Sequence, residues 1–292
     1  MIGAARSSGV RATAPPERAI GAQEIAAVAH DCLILELETW PKPGLVSHVD
    51  AGSHCDMNAD ILRISAATIA PYFAALAASG AAAYGMDRLR IIGLEAEGAM
   101  REATRGVNTH RGAIFGLGLL CAAAGARAAG RIDAGLPLGA VVSRLWGEGI
   151  LDGPILLHSH GEAARRRYGA GGARMEAAFG FPSVYELGLP ALKRGALRSG
   201  GDPEAARVEA CFALIAKVED TNLLHRGGPA GLSFARAAAR RFLEGGSVGR
   251  PGWQDRARIV HEIFIARRLS PGGSADLLAM TLFVDARESG HA

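Results

Sequence analysis

Apolar residues recur at helical spacing along most of the chain. The stretch 21–38 places Ile25, Val28, Cys32 and Leu35 on one face, which is the spacing of an amphipathic helix. Similar stripes predict further helices, at 60–79, 89–103, 113–129, 232–243, 256–267 and 274–285, and one that begins at Pro203. Strand-like alternation is almost absent, so the pattern predicts an all-α fold, a single-domain bundle of about ten helices.

Two segments depart from this pattern. Residues 147–202 are rich in Gly and Pro, which predicts either an excursion that carries short helices or a flap over a site. Ala, Ser, Arg and Pro dominate residues 1–20, which have no long apolar run, so we expect a disordered N-terminal extension and no secretory signal. The all-helical domain then covers residues 21–288.

One uncharged run, from Ile64 to Met86, is long enough to span a bilayer. Ala, Ser, Thr and Gly fill most of it, however, and Pro71 interrupts it. We interpret the run as a buried helix and expect no membrane association.

Charge and cysteine content argue against several classes of protein. The 32 Lys and Arg residues nearly balance the 29 Asp and Glu residues, so a net charge of +3 does not indicate a nucleic-acid-binding protein. The four cysteines are scattered without a CxxC pair, which argues against a disulfide scaffold and a structural zinc site. We expect reduced thiols and a cytoplasmic location.

The candidate chemistry lies in polar junctions between the helices, because free N–H groups at helix N-termini favour anions. The first junction, PKPGLVSHVDAGSHCDM at 41–57, holds Lys42 between two prolines that stiffen the backbone. Lys42 is therefore a candidate phosphate contact, and the alternative is a solvated loop lysine. The same junction contains four ionisable side chains that could bind a metal without a regular ligand spacing, namely His48, Asp50, His54 and Asp56. Asp56 also stands where a helix cap would.

The second junction, GVNTHRGAIF, places four polar residues before the most apolar helix, namely Asn108, Thr109, His110 and Arg111. Such a group is costly at the start of a buried helix unless it has a role. Asn108 or Thr109 could serve as a helix cap, whereas His110 and Arg111 favour a functional site. Glu97 lies on a helix face that runs towards this group.

The last two junctions add a carboxylate, a cation and a glycine-rich turn. DTNLLHRGG contains Asp220 and Arg226 at a predicted helix end, and its alternative is a glycine-terminated helix with an Asn cap. In LSPGGS, the amides of Ser270, Gly272 and Gly273 could cradle a phosphate. Neither a Walker A loop nor a GxGxxG turn is present.

Together the four junctions suggest a magnesium-bridged polyphosphate site, because carboxylates hold Mg²⁺ and Mg²⁺ holds phosphate oxygens. The set comprises the cations Lys42, Arg111, Arg226 and Arg268 and the carboxylates Asp56, Glu97 and Asp220.

Five stretches of the chain together resemble the triphosphoribosyl-dephospho-CoA synthase family. They are PKPGLV with GSHCDM, GVNTHRGAIF with LGLLCAAAG, YGAGGARMEAAFGFPSV, DTNLLHRGG and LSPGGSADLLA. The resemblance runs from about residue 24 to residue 285. It implies an all-helical enzyme that converts ATP and 3′-dephospho-CoA into 2′-(5″-triphosphoribosyl)-3′-dephospho-CoA and adenine. It further implies Mg²⁺ and a downstream holo-acyl-carrier-protein synthase that takes the product, and it leaves a homodimer open.

The family has two branches, which serve citrate lyase and malonate decarboxylase. Ser47 and Asp50, in the pattern PKPGLVSxxDxGSHxDM, resemble the malonate branch, as do NTHRG and ARRLSPGG. We therefore expect the product to become the prosthetic-group precursor of the malonate decarboxylase acyl-carrier subunit. Service to citrate lyase is the alternative.

In the reaction that the resemblance implies, the 2′-hydroxyl of dephospho-CoA attacks the anomeric carbon of ATP with inversion, through an oxocarbenium-like transition state. Proton transfer then requires carboxylate or His side chains near the bonds that change. The predicted catalytic residues are Asp56, Glu97, His54 and His110, and the predicted metal ligands are Asp56, Glu97 and Asp220. The predicted substrate- and phosphate-binding residues are Lys42, Asn108, Thr109, Arg111, Arg226, Ser270, Gly272 and Gly273.

Two other classes of protein fit the same residues. A magnesium-dependent helical hydrolase of ADP-ribose or nucleotides needs the same carboxylates, with water as the nucleophile. A non-enzymatic helical adaptor would show a large exposed apolar patch and no nucleotide binding.

Overall fold

A computed structural model describes residues 17–154 and 171–289 of the chain, with residues 17–20 described by their backbone alone. These residues form eleven α-helices and no strand, which confirms the all-α fold. The helices are α1 Glu17–Glu38, α2 Ala59–Ala81, α3 Met86–Ala103, α4 Arg111–Ala128, α5 Leu138–Leu151, α6 Gly172–Ala178, α7 Leu189–Arg198, α8 Pro203–Lys217, α9 Thr221–Glu244, α10 Trp253–Ala266 and α11 Gly272–Glu288. A π-helical turn, Ser183–Gly188, leads directly into α7, and a short 3₁₀ turn covers Ser247–Gly249.

The predictions for residues 1–20 and for residues 147–202 compare differently with the structure. Helix α1 begins at Glu17, so its first turn lies inside the predicted extension 1–20, of which residues 1–16 lie outside the described residues. The segment 147–202 carries short helices that pack onto the bundle: α6 lies against α5, and α7 lies against α8. Residues 155–170, on which the flap alternative depends, lie outside the described residues.

Helices α2 and α4 form the centre of the core. Leu117, Leu120 and Cys121 of α4 have no exposed surface. The two backbones touch at two glycines, since a Cβ at Gly80 would lie 1.9 Å from the carbonyl oxygen of Ala122. A Cβ at Gly125 would likewise lie 1.9 Å from the carbonyl oxygen of Ala77. Small residues therefore allow this close packing, which explains why the core is so rich in Ala and Gly.

Helix α2 is also the one described helix that is long and apolar enough to cross a membrane. Its central residues Ala66, Ile69 and Phe73 are buried against neighbouring helices, and it packs on α1, α3 and α4. The core helix of a globular bundle passes the same test of length and composition. We therefore interpret α2 as a core helix.

The junction DTNLLHRGG follows the end of α8 at Lys217, as predicted, and begins α9, so the alternative of a glycine-terminated helix with an Asn cap is wrong. Asp220 is the N-cap of α9, because its side chain accepts hydrogen bonds from the N–H groups of Asn222 and Leu223. The glycines lie within α9, where Gly228 adopts a φ of 59° just before Pro229 and kinks the helix. The side chains of Asp220 and Asn222 consequently face the start of α11, and Arg226 reaches the loop that follows α1.

Candidate active site

One cavity of about 1220 Å³ lies between α1, α3, α4, α9, α11 and the loop that follows α1. Most of the predicted site residues line it, although they come from separate parts of the chain. Those that line it are His54, Asp56, Glu97, Asn108, Thr109, His110, Arg111, Asp220, Arg226, Ser270, Gly272 and Gly273. Lys42 is absent from the lining, and so is Arg268, the fourth cation of the predicted polyphosphate site.

Lys42 is fully buried beneath the cavity. Its Nζ donates to Oε1 and to the backbone oxygen of Glu36, both at 2.6 Å. Glu36 itself lines the cavity. Lys42 is therefore neither a solvated loop lysine nor placed for direct contact with a phosphate, because a carboxylate partner already neutralises it inside the fold.

The loop that contains Lys42 is held by a histidine that the sequence analysis missed. His261 of α10 is buried, and its Nε2 lies 3.1 Å from both carboxylate oxygens of Asp50. Its Nδ1 contacts the backbone at Lys42 and Gly44. Asp50 thus anchors the loop, whereas His48 is exposed.

On the opposite side of the loop, His54 joins two elements of the site. Its Nε2 lies 2.9 Å from Ser270 Oγ, and Arg226 Nη2 lies 3.2 Å from its Nδ1. His54 Nδ1 also lies 3.4 Å from Asp56 Oδ1, so the imidazole stands between a donor, Arg226, and an acceptor, Asp56. Burial and the Arg226 charge lower the pKa of His54, against the raising effect of Asp56. His54 is therefore a neutral imidazole that links the loop to the start of α11.

The N-terminus of α11 opens onto the cavity and has no side-chain cap. A Cβ at Gly272 would lie 2.7 Å from Asn222 Nδ2, and one at Gly273 would lie 3.2 Å from Asp220 Oδ2. A side chain at either position would press against the start of α9, which approaches closely. Asp220 already accepts from the N–H of Ser274 in the first turn of α11, so the N–H groups of Gly272 and Gly273, beside Arg226, are the ones that favour a phosphate group.

Asp220 is buried, and its two carboxylate oxygens already accept four hydrogen bonds. Oδ1 accepts from the backbone N–H groups of Asn222 and Leu223, and Oδ2 accepts from the N–H and the hydroxyl of Ser274. Burial raises the pKa of Asp220, although these hydrogen bonds act in the opposite direction. In the described part of the chain, no three His, Cys, Asp or Glu side chains are grouped to hold a metal ion. Asp56, Glu97 and Asp220 are therefore not a preformed metal cluster.

Asp56 and Glu97 lie nearer to solvent. The Asp56 side chain is 56% exposed, and it caps no helix, because Asn58 is the N-cap of α2. Glu97 Oε2 forms an ion pair with Arg111 Nε at 3.1 Å, and both side chains are partly exposed. These carboxylates remain accessible from the cavity, in contrast to Asp220.

His110 takes the N-cap position of α4 without a side-chain cap bond, so the capping alternative for this junction is wrong. Its Nδ1 lies 2.7 Å from Ser65 Oγ, which in turn lies 2.6 Å from Thr109 Oγ1. Burial, and then the Lys42 charge, lower the pKa of His110 to about 4. The imidazole is therefore neutral near pH 7. Asn108 is exposed at the edge of the cavity.

The sequence analysis did not predict four carboxylates that line the cavity, namely Glu36, Glu176, Glu219 and Asp276. Glu36 stands between the buried Leu33 and Leu37 on α1, and a carboxylate on an apolar stripe was the available signal. Asp276 lies in the first turns of α11, where acidic residues are common for helix-dipole reasons and so carry little information.

The site therefore has two parts. We call the deeper group the floor; it comprises the buried Glu36, Lys42, His110 and Asp220 and the half-buried Asp276. We call the group nearer solvent the rim; it comprises His54, Asp56, Glu97, Arg111 and Arg226.

The sequence has relatives among known proteins. Residues 22–292 match the family model of the ATP:dephospho-CoA triphosphoribosyl transferases. The chain belongs to this family. A probable 2-(5''-triphosphoribosyl)-3'-dephosphocoenzyme-A synthase of Stutzerimonas stutzeri is 39% identical over 90% of this chain and 91% of its own length. A similarly named protein of Pseudomonas paraeruginosa is 41% identical over 89% of each chain, and the Klebsiella pneumoniae synthase is 39% identical over 93% of each.

No solved structure matches the chain. Membership of the family confirms the resemblance predicted from the five stretches and confirms that the protein is a transferase enzyme. The non-enzymatic adaptor is therefore excluded.

Proposed function

We propose that this enzyme transfers the 5-triphosphoribosyl group of ATP to the 2′-hydroxyl of 3′-dephospho-CoA and releases adenine. The observation that carries this proposal is the cavity itself, in which cationic, acid–base and helix N-terminal groups from distant parts of the chain converge. Its volume of about 1220 Å³ exceeds the usual ~300–1,000 Å³ of single-ligand pockets. Two large nucleotides that react with each other need such space.

The triphosphate is best accommodated where Arg226, His54 and Ser270 meet the N-terminus of α11. Arg226 supplies a charge, His54 and Ser270 supply hydrogen bonds, and the free N–H groups of the helix favour an anion. Arg111 adds a second cation across the cavity, with Asn108 and Thr109 beside it. Lys42 contributes indirectly, since it holds Glu36 in place.

The chemistry needs proton transfer at both changing bonds, worth about 10²–10⁴-fold at each catalytic group. Glu97 and Asp56 on the rim keep accessible carboxylate oxygens that can accept the hydroxyl proton. His110 and His54 are neutral and can orient a substrate hydroxyl through hydrogen bonds.

Mg²⁺ fits this site as a cation that arrives with the triphosphate. It commonly takes one or two protein carboxylates with phosphate oxygens and waters, so a three-carboxylate cage is not required. Asp56 and Glu97 would hold it, whereas the four donors on Asp220 leave that carboxylate no free position. Bound Mg²⁺ would neutralise charge on the triphosphate.

We further propose that the product serves malonate decarboxylase and passes to a holo-acyl-carrier-protein synthase in the cytoplasm. Ser47 and Asp50 support the malonate branch. Asp50 anchors the loop through His261, and Ser47 is buried with its hydroxyl oxygen accepting from the N–H of Val49. Deletion of the gene should remove the prosthetic group from the malonate decarboxylase carrier subunit, as measured by mass spectrometry. Its loss from a citrate lyase carrier instead would support the other branch.

The transfer is tested by incubating the enzyme with ATP and Mg²⁺, with and without dephospho-CoA. We expect adenine release that depends on dephospho-CoA, together with a product whose mass equals that of ATP plus dephospho-CoA less adenine. Adenine or phosphate release without the acceptor would instead support the hydrolase of nucleotides or ADP-ribose. Omission of Mg²⁺ in the presence of a chelator tests the metal separately.

A further inference from the structure

Three carboxylates of the floor belong to different elements: Glu36 to α1, Asp220 to the start of α9 and Asp276 to α11. All three line the cavity. They lie near enough for the charges of Glu36 and Asp220 to act on Asp276. Three ionised carboxylates this close repel one another, so the compensation of each charge decides which of them stays ionised.

The three are compensated very differently. Glu36 has the Lys42 ammonium at 2.6 Å, and Asp220 accepts four hydrogen bonds from backbone and hydroxyl donors. For Asp276 the described residues supply one such donor, the backbone N–H of Ala113. Asp276 is therefore the carboxyl that gains least from ionisation, because its one donor is an uncharged backbone N–H.

The fold fixes Asp276 at this place through Gly112. A Cβ at residue 112 would lie 2.0 Å from Asp276 Oδ2 and 2.8 Å from its Cγ. The carboxyl group thus occupies the space that a side chain would fill on the first turn of α4, and it faces the cavity there. Burial, then Glu36, then Asp220 raise the pKa of Asp276 well above its usual range, against the lowering effect of the Ala113 N–H.

We propose that Asp276 is the general acid that protonates a purine-ring nitrogen of the departing adenine. This assignment rests on the proposed function. The 2′-hydroxyl oxygen forms a bond to the anomeric carbon while the carbon–N9 bond breaks, and the electron pair of that bond goes to adenine. The carboxyl proton of Asp276 goes to the ring. The hydroxyl proton goes to a rim carboxylate, Glu97 or Asp56, which passes it to water, and the Asp276 carboxylate takes a proton back from water once adenine has left.

The test compares ATP with N7-methyl-ATP in the wild-type enzyme and in Asp276→Asn. A purine methylated at N7 is already cationic and leaves without protonation. We expect Asp276→Asn to lose about 10²–10⁴-fold in kcat with ATP and to turn over N7-methyl-ATP near the wild-type rate. An equal loss on both substrates, or no loss on ATP, would overturn the assignment. Blanks without enzyme correct for spontaneous loss of the methylated base.

A second measurement needs no variant and so does not depend on how well Asp276→Asn folds. In the wild-type enzyme, kcat with ATP should fall as pH rises through the ionisation of the acid, whereas kcat with N7-methyl-ATP should not. The same alkaline fall with both substrates would overturn the proposal. If the wild-type enzyme releases no adenine when dephospho-CoA is present, the proposed function itself fails, and that result is separate from either outcome for Asp276.

Discussion

On the floor of the cavity, charged residues are enclosed by protein and matched to fixed partners, whereas on the rim the same residue types face solvent. Lys42 has no exposed surface and Asp220 almost none, and each is held by short hydrogen bonds. Arg226 and Asp56 are exposed, and their contacts are longer. Residues that look alike in the sequence are therefore in different physical states.

The difference separates two kinds of contribution. A buried charge without its partner pays a large desolvation penalty, so changes to the floor should act first on folding. An exposed charge is already hydrated, and its loss should act on the binding of a polyanion while stability stays nearly constant. Variants that remove one residue from each region test this distinction.

The largest effect is expected for Lys42→Met, which keeps the side-chain volume and leaves Glu36 buried without a cation. The free energy of unfolding should fall by about 3–5 kcal/mol, measured by urea denaturation. The double variant Glu36→Gln/Lys42→Met should regain a large part of the loss, because no unpaired charge remains. Arg258→Met, which removes an exposed ion pair with Glu262, is the matched control and should cost less than about 1 kcal/mol. Equal losses for Lys42 and Arg258 would contradict the distinction.

His110 makes the stability of the folded protein depend on pH. Its pKa is lowered to about 4 in the folded protein, against about 6.5 in an unfolded chain. Between these values the unfolded chain binds a proton that the folded protein does not, so stability falls as pH drops from about 6.5 to 4, by roughly 3 kcal/mol in all.

Urea denaturation at several pH values should show this slope in the wild-type protein and a flatter one in His110→Gln. His48→Gln changes an exposed loop histidine and should keep the wild-type slope. An unchanged slope in His110→Gln would mean that other groups are responsible.

Gly112→Ala tests the close contact that holds Asp276. The added methyl group would meet Asp276 Oδ2 at 2.0 Å, so the carboxyl must move, at about 1–3 kcal/mol of stability and with a lower kcat. Gly98→Ala is the matched control, because nothing lies within 4 Å of its added Cβ. Full activity in Gly112→Ala would show that the position of Asp276 does not matter.

The smallest effect on folding is expected at the rim. Arg226→Met should raise KM for ATP by about 10–100-fold, the equivalent of one lost charge-assisted contact of ~1.5–3 kcal/mol. Its free energy of unfolding should stay within about 0.5 kcal/mol of the wild-type value. Added salt should weaken ATP binding in the wild-type enzyme more than in the variant. An unchanged KM with lowered stability would place Arg226 among the structural residues.

The helices and the junctions between them could be predicted because their signals are local. A stripe of apolar residues needs only the 3.6-residue period, and α2, α4 and α11 lie close to their predicted bounds. Even the polar clusters converge on one cavity, since in a helical bundle the residues between helices have few other places to lie. Helix α5 was not predicted, as the Gly-rich sequence around it obscured its stripe of Val141, Val142 and Trp146.

The sequence was therefore enough to predict the helical fold, the family and most of the predicted site residues that line the cavity. Which of these residues are free to act depends on the folded structure, because the partner of a buried charge is close in space and can be distant along the chain. Lys42 is paired with Glu36, and Asp220 accepts two of its four hydrogen bonds from Ser274, a residue 54 positions away. Asp276 gains its place from the missing side chain of Gly112. Desolvation depends on everything that surrounds a group, and no spacing along the chain reports it.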